Sequence, residues 1–317
     1  MLIKNRGLKY MDEMLDFLQS EGIDNGIISR IEAFRNEFPV NEAQKGRVPK
    51  PKYKYYGSEV WRRALAALLS GENLLLVGPK ATGKNVLAEN LSAVFGRPQW
   101  DISFYLNTDA ASLIGADTFK NGEVSFRHGP IYSCAAEGGF GVLDEINMAK
   151  NESLSVLHAT LDFRRIIDVP GYERISLSPC TRFIATMNYG YAGTREINEA
   201  LASRFMVINM PIISADNLEK LMLSQFPKLK QEYARQLAEL FDELRTKCDS
   251  SEISTKALDL RGLLAAVSLT KQGLTLDESL EMGIINKSFD DFERQLVSDV
   301  IAARIPSGLD ADKLFTA

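Results

Sequence analysis

This chain is short of the residues that build metal centres and cross-links. Its 317 residues include two histidines, His128 and His158, and three cysteines, Cys134, Cys180 and Cys248. The cysteines are odd in number and far apart, which argues against a disulfide framework and for a reduced, cytoplasmic chain. No Cys/His cluster offers a dedicated zinc site. Long apolar runs are missing too. None approaches the roughly 18 residues that a membrane span requires, so no membrane insertion is expected. The N-terminal stretch MLIKNRGLKYMDEMLDFLQ has acids inside its apolar pattern and does not read as a signal peptide. Excess positive charge is also absent. With 37 Lys and Arg against 42 Asp and Glu the net charge is −5, which removes the overall electrostatic case for a nucleic-acid partner.

What is present is an ordinary globular composition, 45% hydrophobic and 25% charged, with length for roughly two or three domains. Residues 1–44 read as helical, with Met11, Met14, Leu15 and Leu18 at helical spacing. The following stretch, KGRVPKPKYK, is basic, holds two prolines and has no acid. It reads as an extended linker, either a solvated connector or a contact for nucleic acid or a partner. Residues 1–54 are therefore expected to form a short helical N-terminal extension.

From Tyr55 the pattern changes. Val60, Trp61, Ala64, Leu65 and Leu68 suggest a helix, and Asn73 to Val77 is a short apolar run suited to a buried parallel strand. Leu87, Leu91, Val94 and Phe95 make an amphipathic helix. Trp100, Ile102, Phe104 and Leu106 alternate with polar residues as in a strand. Two more apolar runs follow, Phe140 to Leu143 and Phe183 to Met187. Strands alternating with helices predict an α/β domain over 55–210 with a parallel sheet. Beyond about residue 211 three helical stripes take over: Leu229–Leu244, Leu263–Val267, and Phe292, Leu296 and Val300. They predict a helical domain over 211–317.

Between the first strand and the next helix lies GPKATGKN, Gly78 to Asn85, with Pro79, Lys80, Ala81 and Thr82 inside it and Val86 after it. It fits the phosphate-binding pattern G-x-x-x-x-G-K-[ST] except at Asn85. Gly78 and Gly83 let backbone N–H groups turn toward phosphate oxygens at a helix N-terminus, and Lys84 would pair with the β- and γ-phosphates. GGFGVLDEIN, Gly138 to Asn147, is an apolar strand ending in two carboxylates. Asp144 would hold Mg²⁺ and Glu145 would orient the attacking water. TRFIATMN, Thr181 to Asn188, again ends a strand in a polar residue at the edge where ligands bind. Asn188 would bridge the γ-phosphate and the water. NEALASRF, Asn198 to Phe205, places Arg204 after a short helix, as a finger toward a neighbouring subunit, with Arg195 as a rival. LDLRGLLAA, Leu258 to Ala266, opens an apolar helix with Arg261, which would fold over the nucleotide or stay a surface arginine. Asn85 and Asp144 are the expected metal-side residues, ATP and Mg²⁺ the expected cofactors.

These five elements in this order resemble an AAA+ ATPase. Walker A falls at 78–85, Walker B at 140–145, sensor 1 at Asn188, the arginine finger at Arg204 and sensor 2 at Arg261. The phrases FRHGPI, LDEINMAK and YAGTREINEALASRF resemble the MoxR branch, in particular CbbQ/NorQ-like, GvpN-like and CobS-like ATPases. In that branch two hairpins face a central pore. Ala116 to Gly129, with Asn121-Gly122 as a two-residue turn signal, and Arg164 to Leu177, around Pro170-Gly171, stand in their places. The resemblance covers about residues 55–305 and implies a P-loop parallel-sheet core, a C-terminal helical lid and a homo-oligomeric ring, typically hexameric. It also implies a protein substrate that is remodelled, often for metal or cofactor insertion or enzyme activation, and a partner carrying a von Willebrand factor A domain. Two other functions compete: a nucleic-acid-linked NTPase of restriction or motor type, and a nucleotide-dependent scaffold without hydrolysis, which the departure at Asn85 suggests.

Overall fold

The computed structural model describes residues 12–120, 122–189 and 195–316. Met11, Asn121 and the residues Tyr191 to Thr194 that figure in the sequence reading lie outside them. The chain divides into two compact units. The first holds the residues up to Pro79 and Gly83–Met210; the second holds Pro211–Ala317 together with Lys80–Thr82.

Among the described residues the first unit has nine strands: β1 (Leu74–Val77), β2 (Gln99–Ser103), β3 (Gly115–Lys120), β4 (Glu123–His128), β5 (Phe140–Asp144), β6 (Ile166–Ile167), β7 (Ile175–Ser176), β8 (Arg182–Met187) and β9 (Met206–Asn209). Five form one sheet in the order β2-β5-β8-β1-β9, and every pairing in it is parallel. Parallel neighbours need crossovers, which the intervening helices supply, and both faces are therefore covered. Alternation along β1 shows it. Leu74 and Leu76 join one core with Trp61, Leu87 and Phe95. Leu75 and Val77 join another with Trp100, Leu143 and Phe183. Burying each such leucine contributes about 1.5–3 kcal/mol.

β9 was not foreseen. Only Ile208 of its four residues is buried, because β9 pairs with β1 alone and forms an edge. Its alternation is too weak to read as a strand. The predicted strand through Leu106 also stops early: β2 ends at Ser103, and Leu106 is 49% exposed.

The N-terminal residues pack differently from the expected linker and extension. A helix over 12–20 and another at Asn25–Glu37 place Met14, Leu18, Ile31 and Phe34 in the same core as Trp61 and Phe95. Residues Glu42–Arg47 form a 3₁₀ helix. The basic side chains are engaged locally: Lys45 pairs with Glu42, the Arg47 guanidinium lies 4.7 Å from the centre of the Trp100 ring, and Lys54 lies 4.8 Å from that of Phe17. The chain then runs as a strap to helix Ser58–Leu69. Buried Asn90 fixes it, donating to the carbonyls of Tyr53 (2.8 Å) and Val86 (2.7 Å) and accepting from the Tyr55 N–H (3.2 Å).

Among the described residues two antiparallel hairpins lie outside the five-stranded sheet, β3–β4 and β6–β7. Gly122, at φ 86°, takes the left-handed conformation that a tight hairpin turn requires.

The second unit is helical, with Ala215–Gln225, Gln231–Asp249, Leu260–Thr270, Leu276–Gly283 and Asp291–Arg304 as its longer helices. Leu260–Thr270 and Leu276–Gly283 meet at glycines. A β-carbon on Gly262 would come within 2.0 Å of the Gly283 carbonyl oxygen. One helical stripe is met in part: Val300 is buried as expected, but Phe292 is 76% exposed, and Val297 and Ile301 join the core. Among the described residues no helix is long and apolar enough to cross a membrane.

Candidate functional site

Register assembles the site. β5 and β8 pair with Leu143 opposite Ala185, so the next residues, Asp144 and Thr186, adjoin. β8 and β1 pair with Met187 opposite Val77, so Asn188 and Gly78 leave the sheet side by side. The C-terminal ends of three central strands thus deliver Gly78, Asp144, Glu145 and Asn188 to one edge. Ligands bind at that edge in open α/β sheets.

The loop after β1 has the backbone that its glycines permit. Gly83 sits at φ 77°, ψ 22° and starts helix Lys84–Val94. Ala81 is also left-handed, at φ 63°. The Lys84 ammonium turns back onto the loop, donating to the carbonyls of Gly78 (2.8 Å) and Pro79 (2.7 Å). Burial lowers its pKa to about 8, against the opposing pull of Asp144 and Glu145. Burial disfavours the charged form of Lys84, and a bound anion would favour it. Asn85 is exposed in the first turn of the same helix.

Asp144 is half-buried and Glu145 exposed. Thr186, 1% exposed, ties both. Its hydroxyl donates to Asp144 Oδ1 (2.7 Å) and accepts from the Glu145 N–H (3.0 Å). Glu145 is held in the left-handed region, at φ 54°. For a residue with a side chain that conformation costs about 1–3 kcal/mol and persists only when neighbours impose it. Asn188 Nδ2 donates to Glu145 Oε1 at 3.0 Å, so these two candidate residues are in contact.

The arginines divide between the units, Arg195 and Arg204 in the first and Arg261 in the second. Arg204 is turned onto its own unit: Nε donates to the His158 carbonyl (3.1 Å), Nη1 to that of Ala200, and Nη2 lies 3.6 Å from Asp162 Oδ2. Asp162 also binds exposed Arg164 through two side-chain nitrogens, one at 2.6 Å, and this hydrogen bond holds its carboxyl below the usual range. Arg195 is exposed. Arg261 lies in the second unit, exposed in the first turn of Leu260–Thr270, its N–H bonded to the cap Asp259 (3.0 Å).

Sequence reading missed Thr186, Asn147 and Tyr55. Thr186 had a signal, a hydroxyl inside an apolar strand. Tyr55 had none, since only folding lays its ring against the P-loop. A β-carbon on Gly83 would meet that ring at 3.2 Å, and burial raises the phenol to about 12.

A central parallel sheet with a glycine loop, a buried lysine and paired carboxylates at its C-terminal edge defines a P-loop nucleotide-binding protein. A family model described as an AAA domain (dynein-related subfamily) matches residues 73–205. The uncharacterized protein YojN of Bacillus subtilis (strain 168) is 33% identical over 242 residues, which cover 75% of this chain and 79% of that protein. The uncharacterized protein SAB1265c of Staphylococcus aureus (strain bovine RF122 / ET3-1) is 34% identical over 255 residues, 78% of this chain and 97% of that one. The chain belongs to the AAA domain family, in its dynein-related subfamily, and its fold is an α/β AAA core with a C-terminal helical region.

Proposed function

We propose that this protein is an ATP-hydrolysing remodelling ATPase of MoxR type, working as a ring of copies, typically six, on a protein substrate with a von Willebrand factor A domain partner. The observation that carries the hydrolytic part is the 3.0 Å contact between Asn188 and Glu145 beside Asp144 and Lys84. A scaffold that only binds nucleotide has no need of a positioned carboxylate at that point.

The residues present fit Mg-ATP. Lys84 is folded onto the carbonyls of Gly78 and Pro79, and phosphate oxygens would take their place as stronger, charged acceptors. Gly78–Val86 would hold the phosphates, and Asp144 and Asn85 offer the hard oxygens that Mg²⁺ takes. When bound, the metal and nucleotide supply the phosphoryl group and the positive charge that offsets its developing negative charge. Glu145 orients and polarises the attacking water, Asn188 holds Glu145 toward it, and Thr186 keeps the backbone of Glu145 in its left-handed turn.

Arg204 would act on a neighbouring copy's site, which requires it to leave Asp162. Hairpins β3–β4 and β6–β7 would carry the motion to a substrate. Phe119 and Val124, paired across the first hairpin, are 74% and 64% exposed. Tyr172 of the second donates to Asp117 of the first at 2.5 Å. The engagement of Lys45, Arg47 and Lys54 within the chain weighs against 45–54 as a nucleic-acid contact. Cytoplasmic residence fits the reduced cysteines.

Steady-state ATP hydrolysis tests the reading. Glu145→Gln should lower kcat by about 10²–10⁴-fold while nucleotide still binds. Equal activity in both proteins would remove Glu145 from the chemistry. Salt-sensitive stimulation by single-stranded or duplex DNA would favour the nucleic-acid motor instead.

A further inference from the structure

We propose that Asn147 is a positioning residue for hydrolysis: its amide fixes the backbone that presents Asn188, and through Asn188 it sets the carboxylate of Glu145. The inference rests on the hydrolytic reading above and extends it to a residue outside the five motif positions.

Asn147 lies in the short 3₁₀ turn Ile146–Met148 that follows β5 and Glu145. It is 3% exposed, between Ile146 at 0% and Ala149 at 2%. An apolar side chain would suit that burial better. The amide Nδ2 instead donates to two carbonyls, Asn188 at 2.8 Å and Arg195 at 3.4 Å. The Oδ1 atom has no hydrogen-bond partner among the described residues. An amide buried with its acceptor unmet is retained for its donor.

The donor closes a circuit. Glu145 leads through two peptide units to Asn147, whose side chain grips the main chain of Asn188. The side chain of Asn188 then returns to Glu145 Oε1. Asn188 is thereby held at its backbone by one residue and engaged at its amide by another. Free to shift, Asn188 would carry Glu145 with it, and a catalytic group displaced by about 1 Å can lose 10²-fold in rate. The second bond extends the effect. By gripping Arg195 as well, Asn147 spaces the two ends of the chain between the sensor and Asn198, which caps the helix Glu199–Ala202 ahead of Arg204.

The test uses the full chain and four variants: N147A, N147D, N188A and N147A/N188A. N147D keeps the shape but replaces the donor with a carboxylate. Binding of a fluorescent ATP analogue should stay within about twofold of wild type in N147A and N147D, while kcat falls by about 10–100-fold. The double variant should hydrolyse no more slowly than N188A, because Asn147 acts through Asn188. In nucleotide-free N147A, amide hydrogen exchange in peptides spanning Asn188 and Arg195 to Ile197 should rise, with the rest of the sheet unchanged. Wild-type kcat in N147A, losses that multiply in the double variant, or unchanged exchange would each overturn the proposal. A loss of kcat matched by an equal loss of nucleotide binding would also overturn it, as it would mark a merely structural residue. Absence of hydrolysis in the wild type would strike the proposed function, and the exchange measurement would still decide whether Asn147 fixes the loop.

Discussion

Lys84 shows how one buried atom sets a pH dependence. Burial brings its pKa from 10.5 to about 8 in the folded chain. Below pH 8 the native state carries a desolvated ammonium. Between about 8 and 10.5 the unfolded chain binds the extra proton and the folded chain does not, so this residue's contribution to stability rises with pH across that window. Phosphate reverses the preference, since an anion favours the charged form. ATP binding at pH 8.5 is therefore expected to take up protons, and affinity should weaken as pH rises beyond that. Calorimetry in two buffers of different ionisation enthalpy reads the uptake. A heat independent of buffer would mean that Lys84 stays charged without nucleotide. Glu145 makes the complementary point. Its identity was legible from the run GFGVLDE, but its backbone N–H is held by Thr186 and its carboxylate by Asn188, from β8 and just beyond its end.

Among the elements, those with strong local signals were legible and the edges were not. Helix Lys84–Val94 and strands β1, β5 and β8 are apolar at their own period, so local pattern and tertiary burial agree. β9 is half-exposed and its pattern fades; Phe292, at the first turn of its helix, turns outward although its spacing fits the buried stripe. The strap before Ser58–Leu69 is the largest difference. Prolines and charges gave it the look of a connector, yet Asn90 binds it and Trp61 Nε1 donates to the Tyr55 carbonyl at 2.8 Å. Asn90→Leu would leave the Tyr55 N–H and the Tyr53 carbonyl without their partner, at a cost of about 2–4 kcal/mol. Chemical denaturation should show the loss. Because the Tyr55 ring lies against Gly83, ATP affinity should fall as well. An unchanged denaturation midpoint would show that the strap is held by other contacts.

At the scale of the whole molecule, Arg204 is held within its own chain by Asp162 and the carbonyls of His158 and Ala200, so the finger role proposed for it is a prediction about a neighbouring copy. Arg204→Ala alone should hydrolyse about 10³-fold more slowly or worse. Mixing it with Glu145→Gln should restore part of the activity, because each inactive protein supplies what the other lacks across an interface. No recovery on mixing would place Arg204 in cis or in a structural role with Asp162.

The sequence by itself determined the class of this protein. The order strand, glycine loop, helix, paired carboxylates and polar strand end is written in local patterns, because β1, β5 and β8 are buried on both faces and the loop residues Gly78 to Asn85 are consecutive. Only the tertiary structure decided who supports those residues. Parallel register brought Thr186 beside Asp144, a turn brought Asn147 beneath Asn188, and folding of the strap brought Tyr55 onto Gly83. These pairs are distant in sequence and individually unremarkable in type. Their meaning lies in which carbonyl or carboxylate each donor reaches, and chain order alone does not specify that.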